Sequence, residues 1–342
     1  MASAKKLPSG SWRVNLYIGK TPDGKRQYKS FTADTKKEAE FLAAQYNQNH
    51  IDVNRSELPL SAAVERYIKS KENVLSPSTV RGYNNILKNH IPGLMAVKIR
   101  DLNSEIVQEE FNRFAKDHSP KTCRNTHGLI ASVLSIERPD IVLRTTLPQK
   151  KKRDIYVPDE KEIDQIHQLI KGNVMELPFV LAAECGLRAS EVAALRLSSV
   201  YSDHIEVKQA MVPDKNNKPT LKDPKSISGY RSIPISKELS DFIIEHASGG
   251  EFVCNLSSNN ISTYWNRFKE NNRLNDDLVF HALRHHFASR CLLLGMPQKY
   301  IAELMGHADT TMIEKVYQHV FPSAMEEYAN KLREQSKKFI QK

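Results

Sequence analysis

Apolar and polar residues alternate near the start of the chain, and this pattern predicts a small β-sheet. Four apolar residues fall on one side of an extended segment: Trp12, Val14, Leu16 and Ile18. Turn-forming residues follow at 21–24, and residues 26–31 predict a returning strand. Asp34 or Thr35 can then cap a helix that ends near residue 50. Residues 1–55 therefore predict a domain made of a small sheet plus one helix.

Residues 56–140 have a helical period instead of an alternating one. Apolar residues recur every three or four positions from residue 60 onward. The pairs Ser76-Pro77 and Ser119-Pro120 each place an N-cap residue directly before a proline, which is favoured at the first position of a helix. We therefore predict a wholly helical domain over these residues.

The pattern changes again at residues 141–155, where Pro148 is soon followed by four consecutive basic residues. This stretch predicts a basic linker. Residues 156–322 return to a mostly helical pattern, with alternating strands around 204–235. Apolar positions on one side of residues 323–342 predict a C-terminal helix or tail. The fold class that follows is mainly α with small β-sheets, divided into three domains.

Composition narrows the class of protein. Hydrophobic residues make up 40% of the 342 residues and charged residues 26%, values typical of a folded globular protein rather than a disordered chain. The richest apolar stretch, residues 177–187, is interrupted by Glu184 and is too short to cross a bilayer. The four cysteines lie far apart, and no apolar secretion signal opens the chain. We therefore expect a cytoplasmic protein without a membrane partner.

The distribution of charge suggests a partner. The net charge is +10, and residues 1–150 carry nine of the ten excess positive charges. Such an excess suits a polyanion because each neutralised phosphate releases counterions, although a solubilising surface bias is an alternative. A two-stranded basic hairpin can also enter a major groove. The candidate DNA contacts are Lys25, Arg26 and Lys29 in the hairpin, Arg81, Lys121 and Arg124 in the helical domain, and Lys150, Lys151, Lys152 and Arg153 in the linker.

The residues that could carry chemistry lie in the third domain, in a fixed order. They are Gly186-Leu187-Arg188-Ala189-Ser190-Glu191, then Lys225, His281-Ala282-Leu283-Arg284, Gly306-His307 and Tyr317. Two arginines match the non-bridging oxygens of a phosphate, two histidines and a lysine can transfer protons, and a tyrosine can act as a nucleophile. No cluster of acidic residues accompanies them, so we predict phosphoryl transfer without a metal or another cofactor.

This order, with ten positions from His307 to Tyr317, resembles the tyrosine recombinase (integrase) family of phages and conjugative transposons. The resemblance implies an arm-type DNA-binding domain at residues 1–55, a helical, SAM-like core-binding domain at 56–140 and a catalytic domain at 156–322. It also implies a site-specific recombinase that cuts and rejoins DNA through a 3′-phosphotyrosyl intermediate and a Holliday junction. Such an enzyme integrates or excises a mobile element.

The resemblance implies a role for each matching residue in the transfer of the phosphoryl group. Tyr317 would attack the scissile phosphate, and His281 would accept the proton of the tyrosine. Lys225 would protonate the leaving 5′-oxygen.

Three further residues would hold the phosphate, and a fourth would support them. By the same resemblance, Arg188 and Arg284 would clamp the non-bridging oxygens, where charge grows in the transition state. His307 would donate a hydrogen bond to the phosphate, and Glu191 would brace the site from one helical turn beyond Arg188.

The resemblance also implies partners. They are double-stranded DNA at core sites and arm sites, three further copies of the chain in a homo-tetramer, and accessory DNA-bending or excisionase proteins. Three other functions remain open at this point. The chain could be a DNA-binding regulator of the same fold without catalysis, or a type IB-like topoisomerase that reseals one strand without exchange. His281 and His285, at positions i and i+4, could also bind zinc in a metal-dependent hydrolase.

Overall fold

The structure is a computed structural model that describes residues 4–20, 26–150, 155–224, 229–307 and 309–340. At residues 18–20, 26–27, 47–56, 315, 317–328, 331 and 338 it describes the backbone alone. The chain divides into two compact units, Met1–Leu75 with Gly82–Lys151 and Ser76–Arg81 with Lys152–Lys342. The predicted fold class, mainly α with small sheets, is confirmed. The finer domain boundaries stay a prediction.

The N-terminal part of the first unit is a three-stranded antiparallel sheet with one helix packed against it. Its elements are β1 (Lys5–Lys6), β2 (Trp12–Lys20), β3 (Arg26–Ala33) and α1 (Lys36–Ser56). Val14 of β2 is fully buried against Ala39 and Ala43 of α1. The backbone N–H of Glu38 donates to the Thr35 hydroxyl at 3.2 Å, so Thr35 caps the helix. The short strand β1 was not predicted.

Five α-helices follow in the described residues up to 150, and α3 belongs to the first unit only from Gly82 onward. They are α2 (Leu60–Lys71), α3 (Pro77–Asn89), α4 (Pro92–Met95), α5 (Ser104–Phe114) and α6 (Pro120–Glu137), with a 3₁₀ turn at Ile99–Asp101. The Ser119 hydroxyl accepts from the backbone N–H of Thr122 at 3.2 Å, which is the cap predicted at Ser119-Pro120. The apolar stripes meet in a core that buries Leu60, Val64, Phe111, Leu129 and Val133.

Residues 141–150, which with residue 155 are the described part of the predicted linker, have no regular secondary structure. Side chains of the helices hold this segment by its backbone. The Ser104 hydroxyl donates to the Val142 carbonyl at 3.1 Å, and the Gln108 side chain bonds both backbone groups of Thr146 at 2.6 and 3.1 Å. The segment is therefore tied to α5 at several points.

In its described residues, the second unit holds eight α-helices and four strands in two small sheets. They are α7 (Glu160–Ile170), α8 (Glu176–Cys185), α9 (Ala189–Val192), β4 (His204–Val207), β5 (Ala210–Pro213), β6 (Pro219–Lys222), β7 (Arg231–Pro234), α10 (Lys237–Glu245), α11 (Ser258–Asn271), α12 (Phe280–Leu293), α13 (Gln298–Met305) and α14 (Thr311–Ile340). β4 pairs with β7, and β5 with β6, both antiparallel. The apolar helix α8 lies at the centre of the core, beside the fully buried Trp265.

The end of the chain differs from its prediction. The sequence predicts a separate helix or tail over residues 323–342, whereas α14 runs without interruption from Thr311 to Ile340. The apolar side chains of Leu332, Phe339 and Ile340 near its end are exposed. No helix in the described part of the chain has the length and apolar character needed to cross a bilayer.

Candidate active site

Arg188 is positioned by the turn between α8 and α9. Gly186 ends α8 with a left-handed φ of 64°, and a Cβ there would lie 2.5 Å from the Phe287 ring, so both conformation and space require glycine. Arg188 is then the N-cap residue of α9. Its backbone N–H and its guanidinium both donate to the Glu191 carboxylate, at 3.0 and 2.6 Å. The two residues are therefore paired directly, and the bracing role of Glu191 stays a prediction.

Arg284 lies in the middle of α12, and its side chain is only 1% exposed. Its Nη1 donates to the Gly186 carbonyl, and its Nη2 donates to the Met305 carbonyl. Burial, followed by the positive charge of Arg188, lowers the pKa of the Arg284 guanidinium. Arginine nevertheless stays protonated in proteins, so the site contains a buried positive charge. The Nε–H has no hydrogen-bond partner among the described residues.

Glu191 is the acidic centre of the site. Its carboxylate is 8% exposed and lies 2.6 Å from Arg188, 2.8 Å from Arg231 and 3.8 Å from Arg284. Burial raises the pKa of Glu191, but the charges of Arg231, Arg284 and Arg188 outweigh it and lower the pKa to about 2. Glu191 is therefore ionised at neutral pH and neutralises part of the charge of three arginines.

His307 follows Gly306, which ends α13 with a left-handed φ of 61°. Arg284 Nη2 lies 2.9 Å from His307 Nε2, and because a guanidinium can only donate, Nε2 must accept. Burial, followed by the charges of Arg284 and Arg188, lowers the pKa of His307 to about 3. The imidazole is therefore neutral with its proton on Nδ1. That N–H is buried and has no partner within the described residues.

His281 and His285 lie on α12 one turn apart, with ring centroids 4.9 Å from each other. Desolvation of the imidazole ring by the surrounding protein, followed by the charges of Arg284 and Arg188, lowers the pKa of His281 to about 4. A neutral imidazole can accept a proton at neutral pH. Within the described residues, no group of three or more His, Cys, Asp or Glu side chains could hold a metal ion.

The structure brings together the predicted phosphate-holding residues but does not describe two predicted groups. Arg188, Glu191, Arg284 and His307 form one contiguous set of hydrogen bonds and ion pairs. Lys225 lies outside the described residues. Tyr317 lies in α14, and its side chain is outside what the structure describes. The roles of all these residues stay predictions.

Sequence reasoning missed Arg231, the first residue of β7. Its side chain is 4% exposed, and its Nη1 and Nη2 lie 3.2 and 2.8 Å from the two carboxylate oxygens of Glu191. Arg231 lies six positions after Lys225, which the sequence had already indicated as a candidate site residue. Only the alternation of β7 could have indicated that the side chain points inward, and a four-residue strand is too short to show it clearly.

The candidate DNA contacts in the helical region and linker differ in their exposure. Arg81, Lys121 and Lys150 are exposed. Arg124 is half-buried, and its Nη2 donates to the Pro148 carbonyl at 2.6 Å. Three linker residues lie outside the described residues: Lys151, Lys152 and Arg153.

The candidate contacts in the hairpin do not form one exposed row. Lys29 is opposite Leu16 in the β2–β3 register, and its ammonium lies 4.0 Å from the centre of the Tyr46 ring on α1. Lys29 is thus on the helix side of the sheet. Lys25 lies outside the described residues, and the side chain of Arg26 is not described.

Fold and site together define a mostly helical protein with a buried cationic centre suited to a phosphate. Residues 157–324 match the model of the phage integrase family. The chain is 25% identical to a XerC-like tyrosine recombinase of Caldanaerobacter subterraneus subsp. tengcongensis, over 91% of this chain and 93% of the relative. It is 22% identical to an integrase of Streptomyces ambofaciens, over 90% and 88% of the two chains.

Two solved structures share the fold. The Tn1549 transposon integrase in complex with transposon right-end DNA has a TM-score of 0.65 at 19% identity, over 80% of this chain and all of that one. A lambda integrase tetramer bound to a Holliday junction has a TM-score of 0.60 at 18% identity, over 92% and 94%. Residues 157–324 are a domain of the phage integrase family, and together with the tyrosine recombinases that match along the chain they identify a protein of site-specific DNA recombination.

Proposed function

We propose that the chain is a catalytically active integrase, which cuts and rejoins DNA through a 3′-phosphotyrosyl intermediate. The observation that carries this proposal is a pair of buried donors, Arg284 Nε and His307 Nδ1, which have no partner among the described residues and belong to two side chains in contact with each other. A buried N–H group without a partner costs about 1–3 kcal/mol, so its presence points to a ligand. A phosphate offers acceptor oxygens for these donors. Its negative charge also balances the excess positive charge of three arginines beside one carboxylate.

The proposed reaction is a direct displacement at phosphorus. The Tyr317 phenol oxygen forms the new bond to phosphorus while the bond to the 5′-oxygen of the next nucleotide breaks. The phenol proton passes to the neutral imidazole of His281, and Lys225 gives a proton to the leaving oxygen. Arg188, Arg284 and His307 hold the non-bridging oxygens. Because the phosphotyrosyl bond conserves the energy of the broken phosphodiester, the reverse displacement can reseal the strand.

A homo-tetramer on two DNA sites is the proposed assembly. It would exchange one pair of strands to a Holliday junction and then exchange the second pair, in integration or excision of a mobile element. The likeness in fold to the lambda integrase tetramer supports this assembly. Accessory DNA-bending or excisionase proteins stay a prediction.

The outward face of the N-terminal sheet is the proposed surface for arm sites. Three cross-strand pairs lie on the face opposite Val14 and α1: Arg13 with Thr32 at 3.2 Å, Asn15 with Ser30 at 2.8 Å, and Tyr17 with Tyr28 at 5.6 Å between ring centroids. All six residues are exposed. These donors, acceptors and rings can meet base edges in a major groove, which admits a β-ribbon.

The experiment that tests the proposed function is capture of DNA on Tyr317. The full chain is incubated with a suicide substrate that carries the ends of its own element, with a chelator present. We expect a denaturation-resistant adduct with the wild-type chain and none with Tyr317→Phe, since the variant loses only the nucleophilic oxygen. A gel shift provides the control, because both proteins should bind the same DNA equally.

Each rival function predicts a different result. A non-catalytic regulator binds the DNA and never forms the adduct, and a metal-dependent hydrolase loses its activity with the chelator. A topoisomerase forms the adduct but relaxes supercoils without joining two sites. An adduct that persists in Tyr317→Phe would show that another residue is the nucleophile.

A further inference from the structure

Three arginines join Glu191 to the end of a helix. Each guanidinium contacts the Glu191 carboxylate, and each also donates to one of three consecutive carbonyls at the end of α13. The pairs are Arg231 Nε with Leu304 at 2.6 Å, Arg284 Nη2 with Met305, and Arg188 Nη2 with Gly306 at 3.3 Å. The last carbonyls of a helix lack partners within the helix and carry its negative dipole end, so this arrangement is favourable.

Arg231 differs from the other two arginines in how its donors are used. It bridges both oxygens of Glu191, and its Nη1 also lies 3.5 Å from the Gly229 carbonyl. Its side chain is 4% exposed, whereas that of Arg188 is 33% exposed. All three nitrogens of Arg231 are therefore occupied inside the protein. Arg231 is not placed to bind a phosphate itself.

We propose that Arg231 is a positioning residue for the recombination reaction, holding Glu191 and the end of α13 so that Arg188 and His307 face the phosphate together. This inference rests on the proposed function. Without Arg231, the Glu191 carboxylate would be shared by Arg188 and Arg284 alone. Glu191 would then pair more closely with Arg188. This pairing would draw the Arg188 guanidinium, the more exposed of the two arginines, away from the phosphate.

Electrostatics supports the same role. Against the effect of burial, Arg231 contributes most to the lowering of the pKa of Glu191, ahead of Arg284 and Arg188. Removal of Arg231 should therefore raise that pKa, and Glu191 would become protonated at a less acidic pH. A residue that only stabilised the fold would not shift the pH profile of the reaction.

The test measures single-turnover adduct formation on the suicide substrate, across acidic and neutral pH, for full-length Arg231→Gln and Arg231→Lys. We expect Arg231→Gln to slow adduct formation by about 100-fold, as a misplacement of about 1 Å can. The acid limb of the pH–rate profile of Arg231→Gln should move to higher pH. Arg231→Lys keeps the charge without the fork, so we expect a smaller loss and a smaller shift.

Two comparisons separate positioning from folding. In a Glu191→Gln background, Arg231→Gln should cost much less than in the wild type, because the partner is already gone. Arg290→Gln is the matched control. Arg290 lies on α12 and, like Arg231, is paired with a glutamate, Glu184 at 2.7 Å, but outside the site, so its loss should leave the rate unchanged.

Several outcomes would overturn the inference. One is a wild-type rate and pH profile in both variants. Another is a slow rate with an unmoved acid limb and the same cost in the Glu191→Gln background, which would indicate a purely structural role. If Arg231→Gln does not fold, a well-folded Arg231→Lys that cleaves at the wild-type rate decides against the inference. Absence of an adduct with the wild-type chain would instead refute the proposed function, and the inference with it.

Discussion

Polar side chains are paired within the protein both in the candidate active site and on the outward face of the N-terminal sheet, but with opposite exposure. In the site, the Arg284 and Arg231 side chains are 1% and 4% exposed, and they are charged. On the sheet, Asn15 and Ser30 are exposed and neutral. A buried charge costs several kcal/mol unless it is paired, whereas an exposed pair costs little to open.

The difference indicates how each region would meet DNA. The site is a rigid frame whose remaining donors can be satisfied by one kind of group, an anion with several oxygens. The sheet face can exchange its internal pairs for contacts to bases at low cost. We therefore expect substitutions in the site to cause large losses on any DNA sequence, and substitutions on the sheet to cause smaller losses that depend on sequence.

The largest effect is expected for Arg284→Gln. The variant loses the buried charge opposite the phosphate, and removal of one such donor typically costs about 10²–10³-fold in rate. It also leaves the Gly186 and Met305 carbonyls without their donors. We expect adduct formation to fall by about 1,000-fold at saturating DNA, because the charge acts chiefly in the transition state.

Single-turnover capture on the suicide substrate measures this loss, and a thermal melt reports the fold. Lys269→Gln is a suitable control, since Lys269 is also a buried cation that donates to a backbone carbonyl, that of Asp276 at 2.6 Å. A rate in Arg284→Gln within tenfold of the wild type would show that the buried guanidinium is not central to the reaction.

The next effect is on stability and depends on pH. The pKa of Glu191 is about 2 in the folded protein against an ordinary value of 4.5. Because the folded value is the lower one, the ionised carboxylate stabilises the fold above about pH 4.5, and this contribution is lost as the pH falls towards 2. Glu191→Gln should therefore reduce the free energy of unfolding at pH 7 by about 3–5 kcal/mol, the cost of breaking a buried ion pair.

Urea unfolding of both proteins at several pH values measures this difference. We expect the gap between wild type and Glu191→Gln to narrow steadily below pH 4.5. Glu206→Gln, a change in an ion-paired carboxylate outside the cluster, should show only a small gap. A gap for Glu191→Gln that is the same at pH 7 and at pH 3 would mean that the carboxylate is not the charged centre of the cluster.

Local chemistry could be predicted from the sequence wherever neighbouring residues decide it. The Ser119 cap depends on three residues, and the pair Arg188–Glu191 on a spacing of three. The face of the sheet on which Lys29 lies was not predictable, because it depends on the strand register that sets Lys29 opposite Leu16. The half-buried position of Arg124 also depends on a residue far along the chain, because its guanidinium donates to the carbonyl of Pro148.

Arg231 shows most clearly what could not be predicted from the sequence. Two of its partners, Glu191 and Leu304, lie 40 and 73 residues away, and only the folding of the chain brings them together. Arginines are common on surfaces, so residue type gave no reason to expect burial. The site could be predicted as a set of groups for a phosphate, but not as a frame with a third arginine inside it.

The smallest effect is expected on the sheet face. Arg13→Ala removes an exposed guanidinium that donates to Thr32 at 3.2 Å, on the face turned away from α1. A contact to a base edge contributes about 1–3 kcal/mol, so we expect about a tenfold loss of affinity for duplexes from the arm regions of the element. Adduct formation on a core site without arms should be unchanged.

Lys29→Ala is the matched control for this last prediction, because it removes one positive charge from the other side of the same sheet. A charge that contacts only phosphates contributes equally to every sequence, so its loss should be small and independent of sequence and should reduce the salt dependence. Fluorescence anisotropy with arm and scrambled duplexes compares the two variants. If Lys29→Ala relaxed the sequence preference and Arg13→Ala did not, the helix side of the sheet would be the reading surface. The proposed contrast between a closed catalytic frame and an open reading face would then be wrong.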